Sequence, residues 1–304
     1  MIRATKETEA GRRYLGLRRK AKQTGRPTDE FIQLYALEGF LDRLSRSAHA
    51  DRFVLKGGVL LAALDARRPT RDVDLAAHDL ENSATHVLSL IREIAAIDVD
   101  DGLVFYAGHA TAETIRDEDQ YSGVRVTLSG TLARATIHLH VDINVGDPIW
   151  PEPQPVQLPR LLAGTLVIRG YPLEMIFAEM IFAEKIITAL ARGTANTQWR
   201  DFLDLYVLIR RHRVEARTLR TSMQRVAQYR GVPLSPLEST LIGFPEIAQS
   251  RWLAWLRKQR LESAAPEDFS TVLELVVSFA DPVLSDAQTM TSWNPLEKVW
   301  SRNG

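Results

Sequence analysis

The chain reads as an α+β protein: an N-terminal part with a mixed β-sheet flanked by helices, then an all-helical C-terminal part. Three observations predict this. Short segments with strand-like alternation recur between residues 53 and 145. Five prolines fall between Pro148 and Pro159, in "DPIWPEPQPVQLP". From about Leu173 to Phe279 the apolar residues recur at helical spacing nearly throughout. Proline lacks an amide donor, so the proline-rich stretch reads as a connector. The expected domains are 1–165 and 166–304.

The elements follow in order. "PTDEFIQLYALEGFLDRL" reads as a helix, with Thr28 as its cap, acids in its first turn and Phe31, Leu34, Leu37, Leu41 and Leu44 as its apolar stripe. "RFVLKGGVLLAALDA" reads as a short strand, two glycines and a short apolar helix. "RDVDLAA" is the next strand and "SATHVLSLIREIAAI" a helix. "GVRVTLSGTLARATIHLHVDINVG" reads as two strands around a Ser129–Gly130 turn. In the helical half, "MIFAEMIFAE" at 175–184 repeats five residues in tandem. Five residues turn a helix by about 500°, about 140° net, so the two copies present different faces.

Composition narrows the function classes. Of 304 residues, 45% are hydrophobic and 25% charged, which is ordinary for a globular protein. There is no cysteine, which excludes disulfides, zinc–thiolate sites and cysteine nucleophiles and fits a cytoplasmic location. The start, "MIRATKETEAGRR", has no apolar core of a secretory signal, and no apolar run approaches a membrane span. A formal net charge of zero hides three basic runs: "RRYLGLRRKAKQTGR" (12–26), "RRHRVEARTLR" (210–220) and "RWLAWLRKQR" (251–260). Each reads either as a solvated helix face or as a surface for a polyanion such as RNA.

The chemistry concentrates in "RDVDL". A strand alternates its faces with period two, so Asp72 and Asp74 share one face a few ångströms apart. Like charges that close raise each other's pKa unless something positive lies between them. Asp142, in "HLHVDINVG", lies on a second expected strand. Three carboxylates on adjacent strands suit a hard divalent cation, Mg²⁺ where phosphates share the site. Upstream, Lys56–Gly57–Gly58 stands between strand and helix, either as a tight turn or as a phosphate cradle of backbone N–H groups. A competing set, His138, His140 and Asp142 on one strand face, could bind zinc.

"GG…RDVDL", "VDINVGD", "AEKIITAL" and "WRDFLDL", in that order from Lys56 to Leu208, together resemble the AbiEii and MenT toxins. These are nucleotidyltransferases of bacterial toxin–antitoxin and phage-defence systems, in the polymerase-β-like superfamily. The resemblance implies that Gly57 and Gly58 hold the triphosphate, with Gly58 where many relatives carry serine. Asp72 and Asp74 match the metal pair, and Asp142 the third carboxylate and general base. Lys185 matches the lysine on the nucleotide's phosphates, with Thr188 one turn on. Asp201 and Asp204 match the acids of the last motif, while Gln198 stands where relatives usually have arginine. On the residues alone, Lys185 could instead be a snorkelling lysine, and Asp201 and Asp204 partners of an ion pair.

The activity so implied is Mg²⁺-dependent transfer of NMP from an NTP, with one ion or two, onto the 3′ end of tRNA. The donor is often a pyrimidine nucleotide, and the modification blocks aminoacylation and growth. The partners would be NTP, the tRNA acceptor end and a cognate antitoxin, with no membrane. The alternatives are transfer to a protein or small-molecule hydroxyl, or a non-catalytic RNA- or partner-binding protein.

Overall fold

The computed structural model describes residues 5–66, 70–78, 80–81, 83–116, 122–182, 199–285 and 289–302. The chain divides into two units, Met1–Asp147 with Pro153–Tyr171, and Pro148–Glu152 with Pro172–Gly304. The division thus comes at Pro172, past the expected 165/166, because the strand from Thr165 belongs to the first unit's sheet.

The first unit is built on one mixed sheet. Its strands are β1 (Phe53–Lys56), β2 (Asp72–Ala77), β3 (Leu103–Phe105), β4 (Thr111–Arg116), β5 (Ser122–Leu132), β6 (Ala135–Val145), β7 (Gln154–Pro159) and β8 (Thr165–Gly170). Their spatial order is β3-β5-β6-β2-β1-β8-β7, with β4 also on β5. β2 runs parallel to β6 and β1 parallel to β8; the remaining pairs are antiparallel. Helices α1 (Glu9–Thr24), α2 (Thr28–Arg46), α3 (Gly57–Leu60) and α4 (Ala84–Ala95) accompany it.

The apolar stripe of α2 does what its spacing predicts: Phe31, Leu34, Leu37, Leu41 and Leu44 are all buried. Thr28 does not cap the helix. It is the first helical residue, behind Pro27, whose fixed φ of −61° already points the chain into the helix, and no side chain bonds the cap. α1 and α4 do carry side-chain caps, Thr8 accepting from the Gly11 amide and Ser83 from the His86 amide.

The long hairpin corrects the expected turn. β5 continues through Ser129 and Gly130 and turns at Ala133 and Arg134, so that Leu132 faces Ala135. Gly130 is needed in mid-strand because its antiparallel neighbour β3 comes close there: a Cβ would lie 2.4 Å from the Val104 carbonyl oxygen. The glycine marks a close approach of two backbones.

The second unit is helical, with α5 (Leu173–Phe182), α6 (Trp199–Ile209), α7 (Ala216–Arg230), α8 (Leu237–Thr240), α9 (Phe244–Gln259) and α10 (Phe269–Ser285). It also carries a small three-stranded sheet that the all-helical expectation lacked. β10 (Met290–Asn294) pairs with β11 (Val299–Arg302) and with β9 (Val214–Glu215). Trp293 of β10 is fully buried and its indole N–H donates to the Ile209 carbonyl at 2.8 Å. Only in the folded unit does that hairpin acquire the aromatic wall that justifies it. Within the repeat, Met175 is buried and Met180 half-buried, while Ile176 and Ile181 are both buried.

Candidate active site

β2 lies between β1 and β6, and its alternation buries Val73 and Leu75 while Asp72 and Asp74 occupy the opposite, half-buried face. On β6 the same alternation buries Leu139, Val141 and Ile143 and leaves His140, Asp142 and Asn144 on the other face. The parallel register sets Asp72 beside His140 and Asp74 beside Asp142. On the other flank, Asp74 faces Lys56 in the antiparallel register. The sheet therefore brings Asp72, Asp74 and Asp142 to one face of two neighbouring strands.

The turn after β1 closes against this face. Gly57 has φ +64°, in the left-handed region that favours glycine, and a Cβ on it would lie 2.1 Å from Asp74 Oδ2. Any larger residue would displace the carboxylate. Gly58 follows, buried, in the single helical turn of α3. One turn carries little macrodipole, so amide hydrogens at the turn itself would do most of any anion binding.

Cations stand around the carboxylates. Arg125, on β5 opposite Asp142, makes a two-pronged ion pair: Nε donates to Oδ1 at 2.8 Å and Nη2 to Oδ2 at 2.7 Å. That bond to Asp142 raises the arginine's pKa, against the opposing effect of burial. Lys56 Nζ reaches Asp147 Oδ2 at 2.6 Å, with both side chains largely buried, and lies 5.6 Å from the Tyr171 ring centre. His140 Nδ1 stands 3.4 Å from Asp72 Oδ1. Sequence reasoning missed Arg125 and Asp147. The signal for Arg125 was present, since it alternates on one strand face with Thr127, but it meets Asp142 only in the correct hairpin register.

Among the described residues, no three histidine, aspartate or glutamate side chains converge as a metal site. This holds for the expected carboxylate cage and for the histidine–zinc alternative, in which His138 points to solvent. Arg125 bonds both Asp142 oxygens. Asp72 and Asp74 remain a hard, two-carboxylate oxygen donor set on one face. Such a set fits a divalent cation whose other ligands are water and substrate phosphates.

The remaining predicted residues lie elsewhere in the chain. Asp201 and Asp204 are on α6 in the second unit, three apart on one helix face, Asp201 half-buried and Asp204 buried. Lys185, Thr188 and Gln198 lie outside the described residues. Trp252, in the third basic run, is fully buried with its indole N–H donating to the Pro266 carbonyl, so it offers no face to a base.

The sequence profile of a family described as nucleotidyl transferase AbiEii toxin, type IV toxin–antitoxin system, matches residues 39–275. No curated protein sequence matches the chain. Among solved structures, JHP933 from Helicobacter pylori is similar at 16% identity and a TM-score of 0.46, covering 84% of this chain and 93% of that one. A second solved structure, of an H. pylori chain described as a nucleotidyltransferase, is similar at 16% identity and a TM-score of 0.45, covering 84% and 96%.

Proposed function

Because the chain belongs to the AbiEii family of nucleotidyl transferase toxins, we propose that it transfers NMP from an NTP, a pyrimidine nucleotide by preference, to the 3′ end of tRNA. The observation that carries the chemistry is the contact between the Gly57 turn and the Asp74 carboxylate, with Asp72 on the same strand face. A triphosphate lying on that turn has the two carboxylates directly beside it.

Each residue then has a task. Gly57 and Gly58 present backbone N–H groups to the triphosphate, with no hydroxyl at residue 58 to assist. Asp72 and Asp74 would hold Mg²⁺, which when bound would neutralise the triphosphate and polarise the α-phosphorus. The acceptor 3′ hydroxyl forms the new P–O bond at the α-phosphorus. The bond from that phosphorus to the bridging oxygen breaks, and pyrophosphate leaves. The hydroxyl's proton passes to Asp142. Arg125, bonded to both carboxylate oxygens, holds Asp142 in place for that transfer. The motifs of Lys185, Thr188, Asp201 and Asp204 assign these residues to nucleotide binding. The biological consequence is that of a toxin held in check by a cognate antitoxin: an acceptor end so modified cannot be aminoacylated.

The test is incubation of the full chain with each labelled NTP, Mg²⁺ or EDTA, and total cellular RNA and protein. Labelled tRNA, lost with EDTA and with Asp72→Ala, is the expected result. Label on protein or a small metabolite would overturn the acceptor, and no label with any nucleotide would overturn the reaction.

A further inference from the structure

The basic run 12–26 forms most of α1, and the fold sorts its seven cations into two groups. Arg12 and Arg13 are paired with Glu9 one turn away. Lys20 Nζ donates to the Leu161 carbonyl at 2.7 Å, and Arg26 Nε to Glu30 at 2.7 Å. These four are structural. Among the described residues, no hydrogen bond or ion pair engages Arg18, Arg19 or Lys22, and all three are exposed. Together with Leu15, Arg26 and Thr28 they line an open recess of about 430 Å³.

A solvated helix face does not explain this set. Arg18 and Lys22 are four apart and Arg19 and Lys22 three apart, so like charges stack on one face, an arrangement that destabilises a helix. The helix ends at Thr24, so its terminal dipole accounts for Lys22 but not for Arg18 and Arg19. No carboxylate side chain lines the recess, and Arg26, the one lining cation with a partner, is held by Glu30 behind it. A membrane-binding helix would show large apolar side chains beside its cations, and none of the exposed large apolar residues lies on α1. Two guanidinium forks and an ammonium around a concavity match phosphate oxygens on a continuous strand.

We propose that Arg18, Arg19 and Lys22 form a docking site for the phosphate backbone of the RNA acceptor, separate from the site that holds the NTP. This rests on the acceptor being RNA. The recess has no aromatic lining, so it grips the backbone by charge and carries no base readout.

The test is a salt titration of binding between the full chain and a fluorescein-labelled tRNA transcript. Each phosphate contact contributes about 0.7 to 0.9 to the slope of log affinity on log salt. In Arg18→Gln/Arg19→Gln/Lys22→Gln the slope should fall by about 2 to 3. Between 50 and 200 mM salt, wild type should then lose about 20- to 60-fold more affinity than the variant. Arg18→Lys/Arg19→Lys/Lys22→Arg should keep the wild-type slope, because the charge survives. Binding of a fluorescent NTP should be unchanged in both variants, which also confirms folding. An unchanged slope in the Gln variant, with wild-type label still appearing on tRNA, overturns this docking site and leaves the acceptor assignment standing. An unchanged slope with lost neutralisation by the antitoxin assigns the recess to a protein and also overturns it. Wild-type label appearing only on protein or a metabolite removes the acceptor assignment and this proposal together.

Discussion

The two units bury polarity in opposite ways. The first unit places charges inside and partners them. Arg43, almost wholly buried, donates to Asp101 at 2.6 and 3.2 Å, Glu38 accepts the Leu161 amide, and Asp42 receives Arg46 and Arg160. The second unit stacks rings. Phe279 lies 4.7 Å from Phe177, 5.1 Å from Trp293 and 5.4 Å from Trp300, centre to centre. All six tryptophans of the chain fall in this unit. The difference teaches where each unit spends its side chains. A ring cluster gains stability from apolar area and quadrupole contacts, and only its indole N–H groups need partners, Trp293 on the Ile209 carbonyl and Trp300 on the Phe279 carbonyl. A charge network is costly to bury and specific in geometry, and it suits the unit that must also hold the carboxylate face.

The contrast gives a ranked set of tests. Asp74→Ala should separate chemistry from folding most strongly. Turnover should fall by on the order of 10²–10³-fold or more, because the cation that neutralises the developing phosphate charge loses one of its two carboxylate ligands. The melting temperature should stay at or above wild type, since one of several crowded carboxylates is gone. A large loss of stability in this variant would show the carboxylates to be structural.

Next come the interiors. Arg43→Ala leaves Asp101 buried without its cation and should cost about 3–5 kcal/mol. Phe279→Ala opens a cavity in the ring cluster and should cost about 3–5 kcal/mol as well. The readouts differ. Tryptophan fluorescence reports the second unit alone, so Phe279→Ala should shift its denaturant midpoint. Arg43→Ala should be seen in amide exchange of β5 and β6. A pairing that makes the contrast sharper is Arg43→Met with Asp101→Leu, which should recover much of the loss if partnering alone is what the network requires.

The smallest effects are in pH dependence, and they carry opposite signs. Burial opposes ionisation of Asp42, but Arg46 and Arg160 outweigh it and hold its pKa below the ordinary 3.8. Its contribution is full above that value and is lost as pH falls through the lower folded value. Glu174, in the second unit, is pushed above the ordinary 4.5 by burial. Its neutral form is favoured when folded, so stability is present below 4.5 and declines as pH rises through the folded value. Asp42→Asn should therefore be less stable than wild type near neutrality, the gap closing in acid. Glu174→Gln should be slightly more stable near neutrality, that gap also closing in acid. Parallel denaturation curves at pH 3.5, 5 and 7 check both, and a Glu174→Gln variant weaker than wild type at pH 7 would refute its half.

Much of the site could be read along the chain because β-strands have a fixed period. Asp72 and Asp74 share a face for that reason alone, and the apolar stripe of α2 is buried as its spacing requires. Family membership was legible too, in four short motifs in order. Register was not. A turn at Ser129–Gly130 would have set Asp142 opposite another residue altogether, and the Arg125 pair stayed hidden until the hairpin was seen to close at Ala133–Arg134. Glycine was the misleading signal, since it marks a turn or a close backbone approach within a strand equally well.

The sequence by itself determined which residues are apolar with which period, hence the strands, the helices and the pair of carboxylates two apart. Those are properties of neighbours in the chain, set by backbone geometry over a few residues. Only the tertiary structure decided that Arg125 closes on Asp142, that Lys56 is tied to Asp147, and that Arg18, Arg19 and Lys22, of the seven cations in the 12–26 run, line an open recess. Each of these depends on which distant segment lies alongside. That is settled by burying apolar faces against one another, and the positions of the charges follow from the register that this burial imposes.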